Sequence, residues 1–321
     1  MRVSEKLVLK AAENGDLKYL KKVVNTDNGF EKSLDWMTKV DKKGRAPLHL
    51  SSMNGHINIV KMIWRIMTEF TKDIYARSVY LDVVDNKGRT ALFHAAAGGY
   101  LNICNYLVDR HANKDICTNE NHVSPGSTAL MACAEKGHFD CFKMLFRKGA
   151  DVIKLRKDGA DAIYMAARYG NHEIVRLIAT DKLFKLIVNR KSFHGRTALI
   201  TAAIHGHLAV CQVLHANGFD LDEQDNDGFT ALIHATNAGH YSLVKWLVTS
   251  GANIYLKDRY GLTAWNIAAA KSFSDIAGFL LESQEDLERS KKTNRAMRGS
   301  IHQVMTRVKV TYPEKQMGRC R

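Results

Sequence analysis

Residues 197–207 read TALITAAIHGH, and the phrase returns along the chain without a gap. Its copies are APLHLSSMNGH at 46–56, TALFHAAAGGY at 90–100, TALMACAEKGH at 128–138, DAIYMAARYGN at 161–171 and TALIHATNAGH at 230–240. A weaker copy, TAWNIAAAKSF, occupies 263–273, and LVLKAAENGDL at 7–17 places Ala11, Ala12 and Gly15 in the same phase. The aligned glycines Gly15, Gly55, Gly99, Gly137, Gly170, Gly206 and Gly239 set steps of 40, 44, 38, 33, 36 and 33 residues. Self-similarity at such periods marks an array of supersecondary units, none of which buries its apolar face alone.

Each unit reads as two short helices. A Thr hydroxyl can accept a backbone N–H at the start of the first helix, and the alanines keep that helix thin enough for close stacking. The glycine then ends it, where a left-handed backbone is needed. The second helix carries apolar residues at helical spacing: Ile57, Ile59, Val60, Ile63; Leu101, Ile103, Cys104, Leu107; Phe139, Cys141, Phe142, Leu145; Leu243, Val244, Leu247, Val248. Runs rich in Gly, Asn and Asp follow, as in NGFDLDEQDNDG at 217–228 and SGANIYLKDRYG at 250–261, and lead to the next Thr.

These residues together resemble the ankyrin-repeat family, whose unit is a finger, a Leu-Ala-Ala first helix ending in Gly-His, a second helix and a Gly-Ala-Asp return. The resemblance implies a mostly α solenoid of stacked helix pairs with short β-hairpin or turn fingers, about eight repeats in all. It divides the chain into a divergent N-terminal capping repeat with an insertion (1–40), seven ankyrin units (41–282) and a basic C-terminal tail (283–321). Departures from the pattern are local. Asp161 stands where Thr is expected, and should still cap its helix. Ser272 and Phe273 replace Gly-His in the last unit, which suits a repeat that meets solvent. The inserted stretches FEKSLDWMTKV (30–40) and TEFTKDIYARSVYLDVV (68–84) should lengthen a second helix or the loop after it.

Composition agrees with a folded protein: 45% hydrophobic, 25% charged, three prolines in 321 residues. Glu5 and Lys6 interrupt what a signal peptide would need as an apolar stretch. The six cysteines show no CxxC pair, so reduced thiols and a cytoplasmic or nuclear location are the expectation. The segment Thr197 to Phe219 has no Asp, Glu, Lys or Arg over 23 residues. Its histidines, Gln212 and Asn217 are costly in hydrocarbon, and its apolar positions keep the repeat's phase, so no transmembrane segment is expected.

The fourteen histidines raise metal or catalytic chemistry. His56, His138, His207 and His240 all follow the inter-helix glycine, where the resemblance implies hydrogen bonds that tie neighbouring units. His49 sits in the one full Pro-Leu-His copy and implies a similar tether; His94 and His234, one position later, are candidates for the concave face. No pair has HxxxH or HExxH spacing, so no metal is expected. Cys104, Cys133, Cys141 and Cys211 fall on apolar helix phases and read as small core residues; Cys117 and Cys320 lie outside the pattern. Without a GxxxxGK[ST] loop or a GxGxxG turn, nucleotide chemistry is unsupported. The expectation is a non-enzyme with no cofactor and no small-molecule substrate.

Charge is the least generic property. The net charge is +14, and residues 289–321 carry ten cations against Glu314 alone, a net +9. Met297, Ile301, Val304 and Val308 share one face of a possible helix there. The tail reads as a solvated or capping segment, as a basic amphipathic signal for a membrane, calmodulin or the nucleus, or as a nucleic-acid contact. The last is not expected, for want of a recognised module. A second pattern lies in the fingers: Lys42, Lys43, Arg45, Lys87, Arg89, Lys157 and Arg196 crowd the early ones, and Asp222, Glu223, Asp225 and Asp227 a later one. The reading is a monomeric scaffold or adaptor that binds a protein partner, with an acidic segment against the basic fingers. The candidate contacts are Lys42, Lys43, Arg45, Lys87, Arg89 and Arg196 with groove positions Met53, Asn54, Tyr169, His205 and Asn237. The alternative is a module recruited by its tail.

Overall fold

The computed structural model describes residues 5–25, 36–70, 73, 79–182, 184–289 and 292. The tail beyond residue 292, including Cys320 and the apolar face from Met297 to Val308, lies outside them.

Helix pairs follow one another through the described residues: Glu5–Asn14 with Leu17–Val24, Pro47–Met53 with Ile57–Phe70, Ala91–Ala97 with Leu101–Val108, and Ala129–Lys136 with Phe139–Arg147. Next come Ala162–Arg168 with His172–Ala179, Ala198–Ile204 with Leu208–Ala216, and Ala231–Asn237 with Tyr241–Thr249. Ala264–Ala270 is followed by a helix over 274–289. Every first helix packs on the first helix of the next pair, and from Ile57–Phe70 to Tyr241–Thr249 the second helices do the same. One apolar seam therefore runs from Val8 to Leu280. Each pair leans only on its neighbours, which is how a chain of this length avoids a single large core. The uncharged segment 197–219 is two short helices broken at His205–His207, and no helix among the described residues is long and apolar enough to cross a membrane.

The local chemistry follows the repeat. Thr90, Thr128, Thr197 and Thr230 each accept the N–H three residues on, at 3.1–3.3 Å, and Asp161 does the same for Tyr164 at 3.0 Å. The aligned glycines from Gly15 to Gly239 all have φ between +74° and +80°. At Gly99 a second constraint acts: a Cβ would lie 2.7 Å from the His138 ring of the next unit. The His can come that close because Nε2 of His138 donates to the Ala97 carbonyl at 3.1 Å. His56 reaches Glu13 O (2.9 Å), His207 reaches Arg168 O (3.1 Å) and His240 reaches Ile204 O (3.2 Å) in the same way. Asn171, which replaces His, donates its amide to Ala134 O. Glycine and histidine thus form one inter-unit joint.

The fingers are turns; no strand occurs among the described residues. A carboxylate templates each regular one. Asp85 Oδ1 accepts from Lys87 N and Arg89 N, and Asp41, Asp225 and Asp258 repeat this bonding. Successive fingers are joined by single backbone bonds, among them Asn86 N to Lys43 O and Asn119 N to Lys87 O, both 3.0 Å. One bond per step aligns the tips in a row without building a ladder.

The first insertion leaves Trp36 and Met37 buried, with the Tyr80 hydroxyl donating to Met37 O at 2.9 Å. The second lengthens its helix as expected: Ile57–Phe70 has 14 residues, against 8 in Leu101–Val108. Cys104, Cys133, Cys141 and Cys211 are buried, and Cys117 is half-buried.

Candidate partner-binding face

The finger row and the exits of the first helices present the side chains that the stack does not use for itself. At the early fingers, Lys42 and Lys43 are exposed and Lys87 half-exposed, and none of the three has a side-chain hydrogen bond or ion pair among the described residues. The arginines beside them are differently placed. Arg45 puts Nε and Nη2 on Asp41 Oδ2 at 2.7 and 2.6 Å, and Arg89 grips Asp85 likewise at 2.9 and 2.7 Å. Arg196 Nε lies 3.6 Å from Asp225 Oδ2. A guanidinium's donors match a carboxylate, so Arg45 and Arg89 clamp their fingers, Arg196 stands near Asp225 with its Nε unbonded, and the lysines carry the unneutralised charge.

The acidic end is levelled too. Asp222 accepts from Asn253 N (2.8 Å), Glu223 pairs with Lys191 (2.6 Å), and Asp227 pairs with Arg259 (2.6 Å). Asp225 is buried against His234 at 2.8 Å. The sequence row of basic then acidic fingertips therefore becomes a few free lysines at one end and internally paired carboxylates at the other. His94 and His234 do not line the groove, contrary to the sequence reading. Each is buried beneath its finger and donates from Nε2 to Asp85 or Asp225. Burial pushes both imidazoles below their ordinary range, although the hydrogen-bonded carboxylate pulls the other way.

His49 is the most constrained of the group. It is 1% exposed, with Nδ1 accepting the Ala46 N–H at 3.1 Å and Nε2 donating to Val83 O at 2.9 Å. It makes the reciprocal half of a capping box, taking the N–H of the N-cap residue Ala46, whose own side chain has no acceptor to offer the helix. Burial, then the charge of His94, pushes its pKa down to about 4.

At the groove, Tyr169 is 45% exposed, with the Arg168 guanidinium 5.9 Å from its ring. His205 is exposed and its ring stacks 6.1 Å from that of His207; desolvation, then Arg168, lowers its pKa. Asn237 is exposed. Met53 and Asn54 are half-buried and partly engaged: Met53 Sδ accepts from Arg45 at 3.6 Å, and the Asn54 amide donates to Leu50 O at 2.9 Å. Sequence reasoning missed Phe193, a fingertip side chain left 72% exposed. Aligning the fingers would have shown it, since Phe193 stands in the slot filled by Lys42, Asn86, Lys157, Asn226 and Arg259. Among the described residues no group of three or more His, Cys, Asp or Glu is placed to hold a metal.

A stack of helix pairs, joined by Gly-His contacts and fronted by a row of turn fingers, defines a repeat solenoid. The family model for ankyrin repeats matches three times, over residues 67–156, 152–225 and 205–291, and the chain belongs to the ankyrin-repeat family. Known proteins similar to it include ankyrin repeat protein nuc-2 of Neurospora crassa, 26% identical over 206 residues, 61% of this chain and 17% of that protein. Ankyrin repeat and SAM domain-containing protein 6 of Danio rerio is 34% identical over 144 residues, 43% of this chain and 18% of that one. Transient receptor potential cation channel subfamily A member 1 of Homo sapiens is 26% identical over 184 residues, 57% and 15%. The chain thus spans less than a fifth of the length of each. Repeats of this family are in general protein–protein interaction modules, and the family is typically non-enzymatic.

Proposed function

We propose that the chain is a non-enzymatic adaptor, a monomer of the cytosol or nucleus, that holds a segment of a partner protein against its fingers and first-helix exits. The observation that carries this is the exposed Phe193, followed along the chain by exposed His205 and preceded by Tyr169 with its stacked Arg168. Large aromatics and an arginine supply most of the binding energy of typical interfaces, and here they stand on rigid elements. The unpaired Lys42, Lys43 and Lys87 would add steering toward an acidic stretch of the partner, an effect on encounter rate more than on lifetime.

The test is affinity capture with the chain and with a Phe193→Ala/Tyr169→Ala variant. Phe193 is largely exposed and Tyr169 nearly half so, and neither belongs to the apolar seam, so the variant keeps the fold. Loss of the specific partner from the variant is expected, at a cost of about 2 kcal/mol or more in measured affinity. Capture of the same partner at unchanged affinity refutes the placement. Glutamates at Lys42, Lys43 and Lys87 should instead slow association and reduce its salt dependence.

A further inference from the structure

On the outer side of the stack, away from the finger row, the second helices Leu17–Val24 and Ile57–Phe70 flank an open cleft of about 280 Å³. Lys21, Lys61 and Arg65 line it with the carboxamides of Asn25 and Asn58, and Met62 contributes to its apolar floor. Among the described residues, no carboxylate lines the cleft. All three cations are exposed. Lys21 and Lys61 make no ion pair among the described residues, and Lys61 Nζ comes only within 5.8 Å of the Tyr106 ring. Arg65 touches Glu69 at 3.6 Å in a pair with both members in solvent. Such pairs are worth roughly 0–1 kcal/mol and yield readily to a better anion.

A comparable cleft two gaps further along the stack shows what is unusual here. Between Leu101–Val108 and Phe139–Arg147, Lys143, Arg147 and Lys148 line a cleft of about 320 Å³, but Asp140 lines it with them and Lys148 pairs with Asp109 at 3.0 Å. That cleft carries its own counter-charge, and among the described residues the first does not. A cleft of about 280 Å³ has room for more than a lone phosphate. Lys61 and Arg65 stand one helical turn apart on one wall, and Lys21 is on the other. Cations spread over two walls suit several anionic groups on one small frame. The two carboxamides, each both donor and acceptor, match hydroxyls between them.

We propose that this cleft binds a multiply phosphorylated polyol of the inositol phosphate class, free or carried as a lipid head group. Phosphates meet Lys21, Lys61 and Arg65, ring hydroxyls meet Asn25 and Asn58, and the ring's C–H face lies over Met62.

The experiment is calorimetric titration of the full chain with inositol trisphosphate, with inorganic phosphate and a phosphoserine peptide as counter-probes. It is paired with sedimentation on phosphatidylcholine vesicles with and without phosphatidylinositol bisphosphate. The basic tail attracts anions as well, so the readout is the difference between the chain and a Lys21→Gln/Lys61→Gln/Arg65→Gln variant. Lys245→Gln, an exposed lysine on the second helix of a later unit, is the control. The triple variant should bind the trisphosphate roughly tenfold or more weakly while the control is unchanged. Lys61→Gln alone should show a smaller loss in the same direction, and unchanged thermal melts exclude unfolding as the cause. Vesicle binding that requires the bisphosphate lipid and is lost in the triple variant assigns the lipid source; titration without vesicle binding assigns the free one. Equal affinity in the triple variant, an equal loss in the control, or binding of phosphate or the phosphopeptide as tight as that of the trisphosphate overturns the proposal.

Discussion

Acid should loosen this stack well above the range where carboxylates titrate, and His49 should be a main cause. Its ring is 1% exposed and must be neutral with the proton on Nε2, because Nε2 donates to Val83 O while Nδ1 accepts from Ala46 N. Protonating Nδ1 makes it a donor facing the Ala46 N–H donor and places a charge in the core. The pKa accordingly falls from 6.5 to about 4. The unfolded chain takes up this proton near pH 6.5 and the folded chain only near pH 4, so unfolding binds a proton between those values. Stability is therefore full above about pH 6.5, falls as the pH drops, and stops falling from this source below about pH 4. At 1.36 kcal/mol per pH unit the total loss approaches about 3 kcal/mol. Urea unfolding followed by circular dichroism, in steps from about pH 7.5 to about pH 4, measures it. His94 and His234 contribute in the same direction, so the comparison is with His49→Gln, which should be less stable at neutral pH but have a shallower acid slope. Hydrogen exchange of amides in 46–53 localises the effect, since each unit leans only on its neighbours. Equal slopes in the chain and His49→Gln would refute the reasoning.

Two further substitutions test the joints and the fingers. Gly99→Ala should cost about 2–4 kcal/mol, from the left-handed backbone together with displacement of the His138 ring and loss of its bond to Ala97 O. Gly149→Ala, with φ +79° but nothing within 4 Å of the added Cβ, should show the backbone cost alone, about 1 kcal/mol; equal losses in denaturant melts would sink the joint. Asp225→Asn should cost about 2–4 kcal/mol, because the buried carboxylate accepts from Asp227 N, Phe229 N and His234 and lies near Arg196. Lys191→Gln, which breaks a more exposed pair with Glu223 and an exposed bond to Gln224 O, should stay within about 0.5 kcal/mol, and a larger change would show that exposed finger contacts also matter.

The helix pairs, the left-handed glycines, the Thr and Asp161 caps and the inter-unit histidines were legible in the linear chain because each is set by residues a few positions apart and then repeated. A period forgives single departures: Asn171 for His and Asp161 for Thr keep the same bond with different atoms. Phe193 was legible by the same logic, once finger was aligned with finger. Charge was not. Lys42 and Arg45 differ little as letters in a basic run, yet one is left to solvent and the other is held 2.6 Å from Asp41.

That difference depends on a third dimension. Asp225 draws Arg196 from the preceding finger and His234 from the helix beneath, and Asp227 draws Arg259 from the finger that follows. Stacking brings these partners together, and a buried carboxylate takes whichever donor reaches it. The cleft of Lys21, Lys61 and Arg65 arises in the same way, from two helices some forty residues apart along the chain. Periodic burial and capping were thus written along the chain, because they rest on spacing and local hydrogen bonds. Which charges remain free, and which surfaces they share, was decided only when the units stacked, because electrostatic pairing depends on distance in space and on solvent excluded by neighbours.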